Sequence, residues 1–322
     1  MSILGAIHNF RRSQPQPQPQ PQPEQNKQFE ALLTSLFLMA WFVEARDPYT
    51  GGHLWRVSRY SQLLARKAGL TPLEIACAGV GGFLHDLGKV GVPDAILRKP
   101  DKLTYEEYEV MKTHPTIGAR MLAAHPLSSL VRNAVQLHHE RPDGAGYPFG
   151  LPGADIPLIA RIVGISDAYD AMTSFRPYRA GMPQDKALQI LREHSGTQFD
   201  PVWVNHMLAL GDAGELQHIQ NHSDDEIQLQ ECPMCGPTLV VRRENHSGDT
   251  IYCRNCGGGF TLKASGGKHD EKNKSKQLTA IPSGSKGNAI DLEAFADEGL
   301  ISRSIRQSMD LLPMEDLMRS MQ

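Results

Sequence analysis

The sequence carries little net charge and lacks a long hydrophobic run. The formal net charge is −3, so no broad basic field favours nucleic acid as a partner. The longest apolar run, Leu36 to Val43, is too short to span a bilayer and is typical of a buried helix. The opening residues, MSILGAIHNFRR, carry their charges after the apolar part, which is the wrong order for a secretory signal. These absences predict a cytoplasmic protein without a membrane span.

Cysteine is also scarce, and most of its few copies are paired. Four of the five cysteines form two Cys-x-x-Cys motifs, a pattern that favours a metal site in a reducing compartment over a disulfide framework. A glycine follows each motif directly, as tight turns around thiolates often require. The spacing resembles a zinc ribbon, in which four thiolates close around one structural ion. The expected zinc ligands are Cys232, Cys235, Cys253 and Cys256.

The pattern of apolar residues divides the chain into segments. Alternating proline over residues 14–23 forbids a helix and predicts an extended tether. From Phe29 onwards apolar residues recur with helical spacing, and no convincing strand alternation precedes residue 238. We therefore expect a mainly α protein with a small β module at the cysteines. The predicted segments are a disordered Gln/Pro-rich tail (1–27), a helical domain (28–212), a linker (213–230), a zinc ribbon (231–262) and a flexible tail (263–322) in which residues 290–322 could form amphipathic helices.

Start and stop signals place the helices of the large domain. The first helix is expected to end before Asp47-Pro48, because proline disfavours a helical residue ahead of it. Pro72 lies just inside the start of a later helix, and Thr104 with Glu107 forms a capping box. Further helices are predicted over residues 115–124, 127–139, 157–173, 183–194 and 200–210.

Histidines and aspartates recur at the ends of these predicted helices. Neighbouring side chains on a helix point in different directions, so two adjacent histidines, as in HHERPDGAGYP, rarely serve one packing face. An unpaired carboxylate inside an apolar helix would be costly to bury. Nitrogen and oxygen ligands of this kind suit iron, manganese or zinc, and a carboxylate can bridge two ions through its two oxygens. The candidate ligands are five imidazoles and two carboxylates, namely His53, His85, His114, His138, His139, Asp86 and Asp167.

Several motifs, in order along the chain, connect these candidate ligands to a known protein family. They are RDPYTGGHLWRV, FLHDLGKVGVPDAILRKPDKLTYEEYEVMKTHPTIG, HHERPDGAGYP and DAYDAMTSFRPYR. Together they cover about Arg46 to Asp200, and they resemble the HD-GYP family, the phosphodiesterases of bacterial cyclic dinucleotides. The resemblance implies an HD-type helical bundle with a metal centre, followed here by the zinc ribbon.

The resemblance also implies a role for each matching residue. Two divalent ions, iron or manganese in the first instance, would hold a bridging hydroxide near neutral pH and direct it at phosphorus. The enzyme would thus hydrolyse cyclic di-GMP. The first ion would be bound by His53, His85, Asp86 and Asp167, with Asp86 bridging to a second ion held by His114, His138 and His139, while Lys89 would contact the scissile phosphate and Arg176 and Arg179 would bind substrate phosphate.

One position departs from the family pattern. Many members have a glutamate that helps to hold a third metal four residues before the first histidine, and this chain has Tyr49 there. A neutral phenol is a poor ligand for a hard divalent ion, and a packed aromatic beside the pocket is the favoured interpretation. Two metals imply that the cyclic dinucleotide is opened mainly to linear pGpG, with little further cleavage to GMP.

The signature Gly146-Tyr147-Pro148 allows two compatible interpretations. It can be a structural turn, with glycine and proline setting the backbone. The family implies a substrate-pocket or partner-docking loop, often towards diguanylate cyclase domains. Glu140 and Asp143 belong to the motif without an assignable role, and Asp170 is either a support for the metal ligands or an ordinary helix-face carboxylate.

Two other functions stay open from the sequence. The chain could hydrolyse another cyclic dinucleotide, such as cyclic GMP-AMP, or it could be a catalytically silent module that senses the nucleotide or docks a partner. The complete ligand set argues against silence. Other histidines are interpreted as structural or, in the linker, as solvated; these are His125, His194, His206, His218 and His222.

Overall fold

The computed structural model describes most of the chain between residues 23 and 311. The described ranges are 23–46, 52–99, 101–174, 181–220, 222–224, 227–236, 238–239, 241–242, 245–253, 256–264, 278–292 and 298–311. Residues 1–22 of the predicted N-terminal tail and three predicted site residues, Tyr49, Arg176 and Arg179, lie outside these ranges. Residues 23–27, predicted as the end of that disordered tail, instead begin the first helix.

Ten helices precede the cysteine motifs in the described part of the chain. They are α1 (Pro23–Arg46), α2 (His53–Lys67), α3 (Pro72–Leu84), α4 (Asp94–Leu97), α5 (Tyr105–Met111), α6 (His114–Met121), α7 (Ser128–Leu137), α8 (Leu158–Thr173), α9 (Gln184–Glu193) and α10 (Pro201–Asp212). Short 3-10 turns occur at Leu87–Gly91 and Gly153–Asp155. These bounds lie within a few residues of those predicted, and the protein is mainly α as expected.

The predicted capping boxes explain where two helices begin. Thr104 accepts a hydrogen bond from the Glu107 backbone N–H, and the Glu107 carboxylate accepts one from the Thr104 N–H, as predicted. Thr71 and Glu74 form the same reciprocal pair ahead of α3. Each box satisfies backbone donors that the first turn of a helix leaves without partners.

Helix α1 is a core helix despite its apolar length. By length and composition alone, the stretch Asn26–Arg46 could cross a membrane. However, Phe29, Leu33, Leu36 and Phe37 are buried in the hydrophobic core of the helical bundle. Burial of these rings and aliphatic chains removes them from water, which is what stabilises α1 against the rest of the bundle.

Close packing of α2 against α3 brings together the two helices that lead into the candidate site. A Cβ placed on Gly82 of α3 would lie 3.0 Å from the Val57 carbonyl oxygen of α2. A side chain at this position would push the two helices apart by a few tenths of an ångström, so glycine suits the close approach. The crossing positions the start of α2 beside the end of α3.

Two segments pack more tightly than the sequence indicated. Leu216 and Ile219 of the predicted linker are buried in the core of the helical bundle, because their spacing puts both on the inward side of the turns that follow α10. Helix α11 (Glu298–Leu311), within the tail predicted as flexible, also packs on this bundle. Its apolar face buries Leu300, Ile301 and Ile305 against the same core.

The cysteine region forms short antiparallel strands. Two strand pairs, β1 (His222–Asp224) with β2 (Ile227–Gln228) and β3 (Gln230–Glu231) with β4 (Thr238–Leu239), precede a three-stranded sheet. That sheet has the order β5 (Thr250–Tyr252), β6 (Gly258–Ala264), β7 (Leu278–Lys286). Strand β7 pairs with β6 from Gly258↔Lys286 to Ala264↔Leu278, so the sheet extends beyond the predicted ribbon boundary at residue 262.

Candidate metal centre

The first ligand group combines three helices. His53 is the first residue of α2, His85 and Asp86 directly follow α3, and Asp167 lies within α8. The Nε2 atoms of His53 and His85 are 3.3 Å apart. The Asp86 Oδ2 atom lies 3.6 Å from His53 Nε2 and 3.3 Å from His85 Nε2. Asp167 Oδ1 completes the group at 3.5 and 3.7 Å from the same two nitrogens.

The second ligand group lies on the other side of Asp86. His114 begins α6, and His138 and His139 directly follow α7. The His114 and His138 Nε2 atoms are 3.3 Å apart, and one donor atom from each of the three histidines lies within 4.8 Å of the others. The Asp86 Oδ1 atom is 3.4 Å from His114 Nε2. Asp86 therefore presents one oxygen to each group, as a bridging carboxylate would.

Four of the histidines are oriented by outward hydrogen bonds from their Nδ1–H groups. The acceptors are the Gly82 carbonyl for His85 (2.7 Å), the Met111 carbonyl for His114 (2.8 Å), the Ala134 carbonyl for His138 (2.9 Å) and the Asp170 carboxylate for His53 (2.7 Å). A proton on Nδ1 leaves a lone pair on Nε2 of the neutral ring, and this arrangement is the one that metal-bound histidines adopt.

This tautomer provides a test of whether a metal fits. Between His114 and His138, two Nε2 lone pairs face each other at 3.3 Å. Neutral imidazoles in this tautomer cannot hydrogen-bond to each other through these atoms, so the contact is unfavourable unless a cation lies between them. The donor set is thus suited to a divalent ion of intermediate hardness, such as iron, manganese or zinc.

The electrostatics of the second group also favour metal binding. Burial lowers the pKa of His114 to about 3 and that of His139 to about 4. Burial also holds the pKa of His138 well below its usual value. Metal ligation requires the neutral imidazole, and these three rings are neutral over the physiological range.

Asp86 and His53 carry the charge in the first group. Burial opposes ionisation of Asp86, but the nearby His85 and Lys89 hold the pKa of this carboxyl well below its usual value. Burial would lower the pKa of His53, whereas hydrogen bonds to Asp170 and Asp86 raise it to about 9. The Lys89 Nζ atom donates to Asp86 Oδ2 at 2.7 Å, which puts the ammonium beside both ligand groups.

A carboxylate from α1 supports the start of α2. Gly52, directly ahead of His53, has φ 75° and provides no side-chain cap. The Glu44 Oε1 atom accepts a hydrogen bond from the Leu54 N–H at 3.4 Å. A carboxylate at a helix N-terminus interacts favourably with the exposed backbone donors, and this one helps to hold the turn that carries His53.

The Gly-Tyr-Pro signature packs directly on a candidate ligand. The Tyr147 ring stacks on the His139 ring with centroids 4.6 Å apart, and the Tyr147 N–H donates to the His139 carbonyl at 3.2 Å. Glu140 anchors the loop, because its two carboxylate oxygens accept from the Phe149 and Leu151 N–H groups at 2.7 and 2.8 Å. The structure thus assigns Glu140 a role that the sequence left open.

The structure gives three further residues a role next to the site that the sequence did not establish. Asp170 is buried beneath His53 and is not an ordinary helix-face carboxylate. Arg56, also buried, donates to Asp170. His222 was expected to be solvated in a linker, yet it lies in β1, is half-buried, and its carbonyl accepts from Arg56. The helical spacing of His53 and Arg56 was visible in the sequence, but their shared partner on α8 was not.

The four paired cysteines converge as the sequence predicted. Sγ–Sγ distances are 3.6 Å for Cys235–Cys232 and Cys235–Cys253, and 3.8 Å for Cys232–Cys256. Four sulfurs at zinc–sulfur bond lengths around a tetrahedral ion would be separated by about 3.8 Å. The glycine after each motif, Gly236 or Gly257, has a positive φ and donates its N–H to the carbonyl of the first cysteine of the motif at 2.8 Å.

The fold and the two ligand groups define a helical protein with a buried histidine–aspartate centre. Residues 38–202 match the family model of the HD domain. The match covers just over half of the chain, and the chain belongs to the HD-domain family. Within this family, the structure brings together all seven residues that the sequence predicted as ligands, whereas Tyr49, Arg176 and Arg179 lie outside the described residues.

Similar proteins carry more specific names. The chain is 42% identical over 176 residues to the cyclic di-GMP phosphodiesterase response regulator RpfG of Xanthomonas campestris pv. campestris, covering 54% of this chain and 47% of that protein. It is 42% identical over 160 residues to 3'3'-cGAMP-specific phosphodiesterase 3 of Vibrio cholerae, covering 49% and 35%. This chain thus spans about half the length, or less, of these curated relatives.

A solved structure is also similar. An "HDG"Y"P protein" from Bdellovibrio bacteriovorus is 26% identical, with a TM-score of 0.43, and the match covers 52% of this chain and 53% of that one.

Proposed function

We propose that this chain is a metal-dependent phosphodiesterase of the HD-GYP type that hydrolyses cyclic di-GMP, mainly to linear pGpG. The observation that carries the proposal is the position of Asp86, whose two oxygens face two separate groups of imidazole nitrogens at 3.3–3.6 Å. Relatives named as cyclic di-GMP phosphodiesterases support the choice of substrate.

Two divalent ions, iron or manganese, are the proposed cofactors. His53, His85, Asp86 and Asp167 would hold one, and Asp86, His114, His138 and His139 the other. When bound, such a pair generates a nucleophile from water near neutral pH and stabilises the charge that develops on phosphorus-bound oxygens.

Lys89 is the proposed phosphate-binding cation beside this pair. Its ammonium is held 2.7 Å from Asp86 Oδ2, and its side chain is 21% exposed. It therefore lies at the open side of a largely buried centre, where a point charge can attract a phosphate oxygen. Arg176 and Arg179 are proposed to bind the substrate phosphates as planar forks, and this assignment stays a prediction.

The proposed product rests on Tyr49. A third cation would help to neutralise the added terminal phosphate of pGpG when that product is bound again, and a tyrosine recruits such a cation poorly. We therefore expect pGpG to accumulate. The alternative substrate is 3'3'-cyclic GMP-AMP, which the name of one relative with 42% identity supports.

The test is a turnover assay on the full chain, purified without oxygen and loaded with Mn²⁺ or Fe²⁺. Cyclic di-GMP and 3'3'-cyclic GMP-AMP are incubated separately, and the products are resolved by chromatography over a long time course. We expect cyclic di-GMP to give pGpG, with GMP appearing slowly. If 3'3'-cyclic GMP-AMP is cleaved faster than cyclic di-GMP, then the mixed dinucleotide is the preferred substrate and the proposed one is wrong. Rapid complete conversion of cyclic di-GMP to GMP would contradict the two-metal argument.

Variants make the assay specific for the proposed centre. His85→Ala should abolish turnover, because it removes a nitrogen ligand from the first group. His125→Ala is the matched control, since His125 lies outside both groups and its Nε2 contacts the Ser35 hydroxyl at 3.1 Å. Nucleotide binding without cleavage by the metal-loaded parent protein would favour a silent sensor instead.

We also propose that Cys232, Cys235, Cys253 and Cys256 bind one structural zinc ion. Support comes from the sulfur separations and from a small core in which Cys232 and Cys253 are buried with Leu239 and Phe260, with Cys235 and Cys256 packed against it. A double variant, Cys235→Ser with Cys253→Ser, should lose about one zinc per chain by mass spectrometry. Cys77→Ser is the control, because Cys77 lies in α3 and is not one of the four clustered cysteines, and it should retain the zinc.

Two further expectations accompany this function. A cytoplasmic location fits a substrate that is a bacterial cytoplasmic signal. A diguanylate cyclase domain is the expected partner for the loop at Gly146, Tyr147 and Pro148, next to which the Phe149 side chain is largely exposed. A pull-down with an isolated cyclase domain, compared between the parent and Phe149→Ser, would test the docking role.

A further inference from the structure

Arg56 is a buried cation close to the candidate metal centre. It lies on α2, three residues after His53, and only 2% of its surface is exposed. Its Nε atom donates to Asp170 Oδ1 at 2.6 Å, and its Nη2 atom donates to Asp170 Oδ2 at 3.1 Å. This is a two-point pairing of guanidinium with carboxylate, which fixes the plane of the carboxylate as well as its position.

The same carboxylate orients a candidate metal ligand. Asp170 Oδ2 accepts the hydrogen bond from His53 Nδ1 at 2.7 Å. That bond keeps a proton on His53 Nδ1 and turns Nε2, the nitrogen that would bind a metal, towards His85, Asp86 and Asp167. A carboxylate behind a ligating histidine sets both the tautomer and the basicity of the ring.

A third contact fixes the guanidinium from the opposite side. The Arg56 Nη1 atom donates to the His222 carbonyl at 2.9 Å. His222 begins β1, beyond α10 and outside the segment that matches the HD domain. A lysine could reach one of these acceptors with its ammonium, but it could not match the carboxylate and the carbonyl in one plane.

We infer that Arg56 is a positioning residue that acts on the metal centre through Asp170 and His53. The inference deepens the proposed function and rests on the metal centre assigned there. Without the guanidinium, Asp170 would lose its two-point pairing, and its carboxylate would be free to rotate. That rotation would release the His53 ring. Arg56 thus sets how tightly this chain binds divalent metal, although it touches neither metal nor substrate.

The test measures Mn²⁺ binding to the full chain by the electron paramagnetic resonance signal of the free ion. Manganese is chosen because soft thiolates prefer other metals, so the cysteine cluster does not compete. Arg56→Lys and Asp170→Asn should each weaken binding by about 10- to 100-fold, the usual cost of losing a partner behind a metal ligand. The matched control is Arg59→Lys, one turn further along α2, where the arginine pairs with Gln307 at 3.1 Å. It should bind Mn²⁺ like the parent.

The double variant separates positioning from general support of the fold. If Arg56 acts through Asp170, then Arg56→Lys should cost almost nothing further in an Asp170→Asn background. If the two single-variant losses of Mn²⁺ affinity multiply in the double variant, the inference is wrong. It is also wrong if either single variant binds Mn²⁺ as tightly as the parent. Thermal unfolding without metal is recorded for each protein. If Arg56→Lys does not fold, Asp170→Asn carries the test, because the amide preserves the shape of the carboxylate.

The outcomes also distinguish this inference from the proposed function. If the parent protein does not bind Mn²⁺, the proposed metal centre itself is wrong. Binding by the parent together with unchanged binding by the variants would leave the centre intact and reject only the role of Arg56. If neither variant folds, the pair holds the fold together rather than orienting a ligand, and the inference is rejected.

Discussion

Asp86 is the residue on which both ligand groups depend. Its Oδ2 atom faces His53 and His85, its Oδ1 atom faces His114, and Lys89 holds it ionised. The backbone explains this position, because Asp86 lies where α3 ends and a 3-10 turn begins. At such a junction the side chain can extend between helices instead of lying along one of them.

Replacing Asp86 with asparagine should therefore remove the bridge and weaken both sites together. The amide keeps the volume, but its nitrogen cannot serve as the second bridging atom. Metal analysis should show manganese or iron falling from about two ions per chain to below one, while zinc stays at about one. Asp94→Asn is the control, since Asp94 is exposed and pairs with Arg46 at 2.7 Å. Full metal content in Asp86→Asn would show that the ligand assignment is wrong.

Tyr147 takes the supporting role for His139 that hydrogen bonds take for the other four histidines. Because ring stacking requires only an aromatic face, Tyr147→Phe should bind Mn²⁺ like the parent. Tyr147→Ala should weaken binding about 2- to 10-fold, the equivalent of one aromatic pair. Tyr105→Ala is the control, because Tyr105 on α5 is 75% exposed. Equal loss in the phenylalanine and alanine variants would indicate that the hydroxyl, and not the ring, matters.

At the scale of elements, the site depends on how closely helix ends approach one another. The 3-10 turn Leu87–Gly91 contacts the start of α6, and a Cβ on Gly88 would lie 1.8 Å from the His114 carbonyl oxygen. No side chain fits there without displacing the backbone that carries His114. Gly88 therefore determines the separation between the two ligand groups.

Gly88→Ala should reduce stability and metal binding together. Overpacking of this kind costs roughly 1–3 kcal/mol, measurable by urea unfolding of the metal-free protein, and the shift of His114 should also weaken Mn²⁺ binding. Gly69→Ala separates the two effects. Gly69 has φ 70° with nothing within 4 Å of a built Cβ, so its alanine should cost about 1–2 kcal/mol of backbone strain and leave Mn²⁺ affinity unchanged.

The elements were largely predictable from the sequence because their signals are local. Helical periodicity, the Thr104–Glu107 box and the cysteine spacing each depend on residues within a few positions. The pairing of Arg56 with Asp170 was not predictable in this way, since it joins residues that are far apart in the chain. Strand β7 was missed for the same reason, because it pairs with β6 across a long polar segment.

At the scale of the whole molecule, the C-terminal helix belongs to the main core. Helix α11 lies outside the HD-domain match, yet it buries Leu300, Ile301 and Ile305 with residues of α1 and α3. The sequence showed that this segment could be amphipathic, but amphipathicity does not identify what covers the apolar face. Only the folded bundle shows that the covering partner is the HD domain itself.

Ile301→Ala should accordingly destabilise the helical domain and not only the tail. Removing a buried isoleucine side chain costs about 2–5 kcal/mol, and the loss should appear in the main urea transition. Ile290→Ala is the control, because Ile290 is 70% exposed and should change stability by less than about 0.5 kcal/mol. Equal effects in the two variants would contradict the docking of α11.

Helix α2 connects three parts of the molecule through one face. It carries His53 at its start, Arg56 against the His222 carbonyl of β1, and Arg59 against Gln307 of α11. Coupling of binding free energies is reciprocal, so if the Arg56 contact tightens metal binding, bound metal must stabilise that contact by the same amount. Amide hydrogens of β1 should therefore exchange with deuterium more slowly in the manganese-loaded protein, although β1 contributes no ligand. Those of α11, which is held through Arg59, should exchange at an unchanged rate. Occupancy of the metal centre could therefore be followed away from the ligands, through hydrogen exchange in the region that follows the helical domain.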